Sequence, residues 1–145
     1  MGSKREALRD AGLLWLRLIM GACIASHGYG KLFGDHFGKF TESVDALGLP
    51  GFSADQWAHL AAWSEFAGGI FIMMGLATRA AAFMVLCTMC VAVFRVHWND
   101  PFDVKEKALA YLTMAGALML TGAGRFSIDA ALLSHFGRGG GGGKP

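Results

Sequence analysis

The chain is 145 residues long, one domain's worth, with 54% apolar and 17% charged residues and a mean hydropathy of +0.42. Soluble domains carry about a quarter charged residues; here the apolar residues come in blocks, not in a 3.6-residue stripe, which points to a membrane protein. A net charge of +2 is too small to argue for nucleic acid, and three cysteines, all within apolar blocks, do not make a secreted disulfide framework.

Residues 1–10 are short and basic (Lys4, Arg5, Arg9). The first apolar block, 11–29, is long enough at about 1.5 Å per residue for a hydrocarbon core of about 30 Å. It follows a basic start like a signal peptide, and Met20 to Cys23 grazes a lipoprotein cleavage box. Arg17 interrupts the apolar region, however, and further spans follow, so it is read as a retained span. In the polar segment 30–56, Phe37, Phe40, Val44 and Leu47 recur at helical spacing opposite Lys39, Glu42 and Asp45, until Leu49-Pro50-Gly51 breaks the pattern. This fits a short amphipathic helix at the membrane interface as well as an ordered loop. The second span is 57–77, Thr78-Arg79 reads as a tight turn, and the third span is 80–96. Asn99-Asp100-Pro101 is a turn signal, 108–123 is a fourth apolar run, and 125–136 suits a short surface helix. The Gly-rich stretch 137–145 is linker-like.

The expected fold is therefore all-α, a membrane-embedded four-helix bundle in one domain over 11–136. Only helices and closed barrels satisfy every backbone group in lipid. Four spans put both termini on one side. Seven Lys and Arg residues outside the spans fall there (Lys4, Arg5, Arg9, Arg79, Arg125, Arg138, Lys144). The other side has four (Lys31, Lys39, Lys105, Lys107), or five with Arg95. The positive-inside rule then favours cytoplasmic termini.

Glu65 is the exceptional residue, a carboxylate about 12 Å inside the second span. Such a group normally faces protein, a partner charge or a water-filled cavity. His27, Arg95 and His97 fall at or just inside the outer ends of spans one and three, Lys31 follows one turn after His27, and Trp63 is almost level with Glu65. Together they could form one outward-facing pocket in which Glu65 handles protons and the others hold a polar ligand head. The bland reading is that Glu65 only pairs with Arg17 or Arg95 and locks helix packing. For His27 and His97 taken singly, a plain interfacial position is the simpler account. Arg17, about 9 Å from the inner end, can snorkel to the cytoplasmic surface, a structural or topological role, and Arg79 is another structural charge.

Cys87-Thr-Met-Cys90 tempts a redox reading, with Cys23 at a similar depth to Cys90. It lies mid-helix without an activating charge, where thiols behave as small apolar residues. Two histidines and a glutamate evoke a metal site, but no metal-ligand spacing supports one. Gly30, Gly34 and Gly38 repeat at G-x-x-x-G spacing and are expected to let the exit of span one pack closely. Gly68, Gly69, Gly75 and Gly116 are better candidates for close helix contacts. Trp57, Trp63, Trp98 and Tyr111 suit an outer interfacial belt.

Arg17-x3-Gly21 to His27-Gly-Tyr-Gly-Lys31-Leu, Glu65-x3-Gly69 to Gly75-Leu-Ala-Thr-Arg79, Glu106-Lys-Ala-Leu-Ala-Tyr111-Leu and Gly122-x-Gly124-Arg-Phe-Ser-Ile-Asp129 together resemble the DoxX family of small four-span bacterial membrane proteins. The resemblance covers nearly all of 14–129. It implies a bacterial plasma-membrane protein with a quinone- or redox-associated role, without making the chain an enzyme. It carries over Arg17, Lys31, Glu65 and Arg79 as pattern positions; the cysteines are not part of that pattern.

The leading expectation is a redox-associated membrane subunit binding a quinone-like molecule near the outer leaflet. No haem, flavin or iron–sulfur motif is present, so electron transfer would need bound quinone and a redox partner protein. The rival expectations are a small transporter or permeation subunit and a non-enzymatic assembly partner.

Overall fold

The computed structural model describes residues 2–138, and the tail 139–145 lies outside the described residues. All regular structure among them is helical: α1 (Gly2–Phe33), α2 (Phe37–Asp45), α3 (Ala54–Met74), α4 (Thr78–Val91), a π-helical turn (Ala92–Val96), α5 (Phe102–Thr121) and α6 (Ile128–Arg138). α1 lies along α3, α3 packs on α4, α4 on α5, and α5 touches α1. The core between them is Met20, Ile24, Ile72, Ala82, Val85, Met89, Ala115 and Leu118.

Local chemistry sets the helix ends. Ser53 opens α3 with a capping box: its hydroxyl accepts from Gln56 N and its own N–H donates to Gln56 Oε1. α3 stops at Gly75, which takes the left-handed conformation (φ 67°) that a glycine adopts without steric cost. The chain then turns through Ala77, and Thr78-Arg79, expected as the turn, are instead the first residues of α4. The carboxylate of Asp129 makes this so, accepting from Ala77 N (2.7 Å) and Thr78 N (3.0 Å) and capping α4 from outside its own sequence. The expected interfacial segment does contain a helix, α2, whose Phe37 ring rests on His59 and whose Val44 is buried. A helix also follows Arg125, as α6.

α1 and α3 approach closely because both lack side chains where they meet. A Cβ on Gly21 would lie 2.6 Å from Gly69 O, one on Gly69 2.7 Å from Gly21 O, and one on Gly28 would strike the Phe66 backbone. The expectation for Gly30, Gly34 and Gly38 is corrected: Gly30 and Gly38 have nothing within 4 Å, and Gly34 meets only Gly30 in its own chain. Those three lie past the α1–α3 crossing, where no second helix backbone comes close.

Trp15, Ile19, Phe83, Phe94 and Leu120 are large apolar side chains left exposed around the helices. One stretch, Thr78–Val96, is long and apolar enough to cross a membrane by length and composition. The other three long helices carry Arg17, Glu65, or the charged entry around Asp103 and Lys107.

Candidate functional site

At the end of the helices away from the termini, α1, α3, α4, the π turn and α5 line an open cavity of about 290 Å³. Ile24, His27 and Lys31 reach it from α1, spaced by three and four residues on one helix face. Val104, Lys107, Ala108 and Tyr111 do the same from α5, Glu65 comes from α3, and Met89, Ala92 and His97 close the fourth side.

Glu65 is 2% exposed. Its Oε1 accepts from Lys31 Nζ at 2.6 Å, while Oε2 is buried with no partner among the described residues. A buried carboxylate oxygen without a donor costs about 1–3 kcal/mol or more, so the carboxylate retains unused accepting capacity. Lys31 is 31% exposed and lies 4.7 Å from the Phe40 ring centroid, which ties α2 to the ion pair. His97 Nδ1 bonds Asp100 Oδ2 at 2.7 Å, leaving Nε2 for other partners. The His27 ring stands edge-on to Tyr111, their centroids 5.8 Å apart. With Lys31 and Lys107 against one carboxylate, the lining has more positive than negative charge.

The structure thus gathers Glu65, Lys31, His27 and His97. Arg95 and Trp63 lie elsewhere. Arg95 donates to Leu47 O (2.9 Å), anchoring the loop after α2. Trp63, two residues before Glu65 and so about 200° round the helix, is 47% exposed and meets Phe66 edge-on. Tyr111 and Lys107, which the sequence reading left outside the pocket, belong to it. Their four-residue spacing, continuing that of Val104, Lys107 and Ala108, is the signal that marks one face of α5.

Arg17 is corrected on two counts. It does not reach the surface, being 0% exposed, and it is not the partner of Glu65. It lies against Gly75 and donates to Phe126 O at 2.6 Å. Gly75 is ten residues from Glu65, about 15 Å along α3. Arg79, at the same end, donates to Leu120 O. Cys23, Cys87 and Cys90 are all free thiols, and among the described residues no group of three or more His, Cys, Asp or Glu could hold a metal ion.

A helical scaffold with an apolar exterior and a buried carboxylate, ion-paired beside a polar cavity, is the make-up of a small membrane protein. The chain belongs to the DoxX family, whose profile matches residues 12–98. It is 31% identical over 131 residues to "Inner membrane protein YqjF" of Escherichia coli (strain K12), covering 88% of this chain and 96% of that protein. It is 30% identical over 122 residues to "Putative oxidoreductase CatD" of Bacillus subtilis (strain 168), covering 83% and 86%. No solved structure matches it.

Proposed function

We propose that this DoxX-family protein is a redox-associated subunit of the bacterial inner membrane, with four spans, that binds a quinone-like molecule in the cavity around Glu65. The observation that carries the reading is the buried Glu65 carboxylate with one oxygen on Lys31 and the other without a partner among the described residues, lining a cavity with His27, His97, Lys107 and Tyr111. The name of the Bacillus subtilis relative supports an oxidoreductase setting, and that of the Escherichia coli relative the membrane. A quinone-like head would supply the redox chemistry. The chain's own residues would hold its oxygens and manage a proton: Lys107, Tyr111 and the two imidazoles offer donors, and Glu65 Oε2 can accept from a hydroxyl. Lys31, by holding Oε1, keeps the carboxylate aimed. Arg17 and Arg79 serve structure at the opposite end, which we propose faces the cytoplasm.

The test is Glu65→Gln, measured by binding of a short-chain quinone to the protein in nanodiscs. Loss of the charged acceptor is expected to weaken binding about tenfold or more, the size of a hydrogen bond to an ionised group, with helicity retained. Unchanged binding sinks the quinone reading. Solute flux through liposomes holding the purified protein alone would replace it with the transporter reading.

A further inference from the structure

The cavity around Glu65 has a larger counterpart. A groove of about 800 Å³ opens at the opposite end, between the first turn of α4, the end of α5 and α6. Its walls are apolar, built from Ala77, Ala80, Ala123, Ala130, Leu132 and Leu133, and Leu133 is 75% exposed. Its polar groups, in contrast, are short of acceptors. Both oxygens of Asp129 are taken by Ala77 N and Thr78 N. Ser127 Oγ donates to Gly124 O and accepts from Ala130 N.

The unspent groups can donate. Arg79 lies over Gly122, where a Cβ would come within 3.3 Å of its Nε, and of its five N–H groups one is used, on Leu120 O at 3.3 Å. Among the described residues Arg79 has no carboxylate partner. The Thr78 hydroxyl, on a residue that lines the groove and is 0% exposed, has no hydrogen-bond partner among the described residues. At the same end Arg9 is paired with Asp10, and Lys4, Arg5 and Arg125 outnumber the remaining acid of that stretch, Glu6. An arginine with free donors, a buried unused hydroxyl and an apolar trough match an amphiphile with an anionic head.

We propose that this groove is a binding site for one anionic phospholipid, its phosphate on Arg79 and Thr78 and an acyl chain along the α6 wall. The site is separate from the Glu65 cavity and does not depend on what that cavity binds.

The experiment is native mass spectrometry of the full-length protein released from nanodiscs of equimolar phosphatidylglycerol and phosphatidylcholine. The wild type is expected to retain phosphatidylglycerol over phosphatidylcholine by about fivefold, the contribution of one basic side chain near an anionic surface. Arg79→Gln is expected to abolish the preference. Ala130→Trp, which keeps the charge and fills the trough, is expected to remove the bound lipid, and it decides the matter should Arg79→Gln not fold. Equal retention of the two lipids by the wild type overturns the proposal. So does an undiminished preference in a folded Arg79→Gln protein or in Ala130→Trp, or displacement of the lipid by excess inorganic phosphate.

Discussion

Lys31 and Glu65 are unequal partners. The carboxylate is buried, whereas the ammonium is 31% exposed and keeps some water. Removing the lysine is therefore the more damaging change, because it strands a charge in a dry place. Breaking a buried pair costs about 3–5 kcal/mol, and the exposure of Lys31 lowers the expectation to roughly 2 kcal/mol for Lys31→Met. Adding Glu65→Gln to Lys31→Met should recover much of that loss, a coupling read from thermal unfolding of the four proteins of the cycle in detergent. Additive losses would mean that the pair does not hold the helices. The depth of Glu65 could be read directly from its position in an apolar run, but its partner could not. Depth follows from counting residues; azimuth requires knowing which helix faces meet. Trp63 shows the difference, level with Glu65 yet on another side of α3, and Arg17 shows it along the axis, buried beside Gly75 instead of at the membrane surface.

Among elements, the α1–α3 crossing is the tightest. Gly69→Leu would drive a side chain into the backbone of Gly21 and Ala25, and overpacking of this kind costs about 1–3 kcal/mol or more. Gly30→Ala, with nothing within 4 Å and a helical backbone, is expected to raise stability by about 0.5–1 kcal/mol. Opposite shifts of the unfolding midpoint check both; a neutral Gly69→Leu would mean that the helices can separate at little cost. The glycine repeat at 30, 34 and 38 is the more conspicuous pattern in sequence, yet the contact falls at Gly69, one of the better candidates, and at Gly21 and Gly28, which the sequence reading did not single out for it. Spacing announces which glycines could lie on one face, and only the partner helix decides which of them are used. The α3–α4 turn was misplaced for a related reason: its cap, Asp129, lies about fifty residues further along the chain, beyond the reach of local patterns.

At the scale of the molecule, two polar centres lie at opposite ends of an apolar body. Arg17 and Lys31 are fourteen residues apart on α1, about 21 Å, which is most of the thickness of a hydrocarbon core. Composition alone announced the membrane class, and the helical pattern was legible across the chain, because apolar blocks of this length have few other destinations. The proposed orientation has a direct check in a cysteine-free background. Asp45→Cys on α2 should react with a membrane-impermeant maleimide on intact cells, and Ser3→Cys only after permeabilisation. The reverse pattern would turn the molecule over and place the Glu65 cavity on the cytoplasmic side.

The π turn at Ala92–Val96 accommodates one residue more than an α-helix would, closed by His97 N on Ala92 O at 2.9 Å. A chain one residue shorter here could continue as plain α-helix, and everything after the gap would swing by about 100°. His97 would leave the cavity and Arg95 would leave Leu47, while α1 to α4 stayed as they are. In an alignment with relatives, a single gap in this stretch is therefore a change of ligand chemistry written as a change of length.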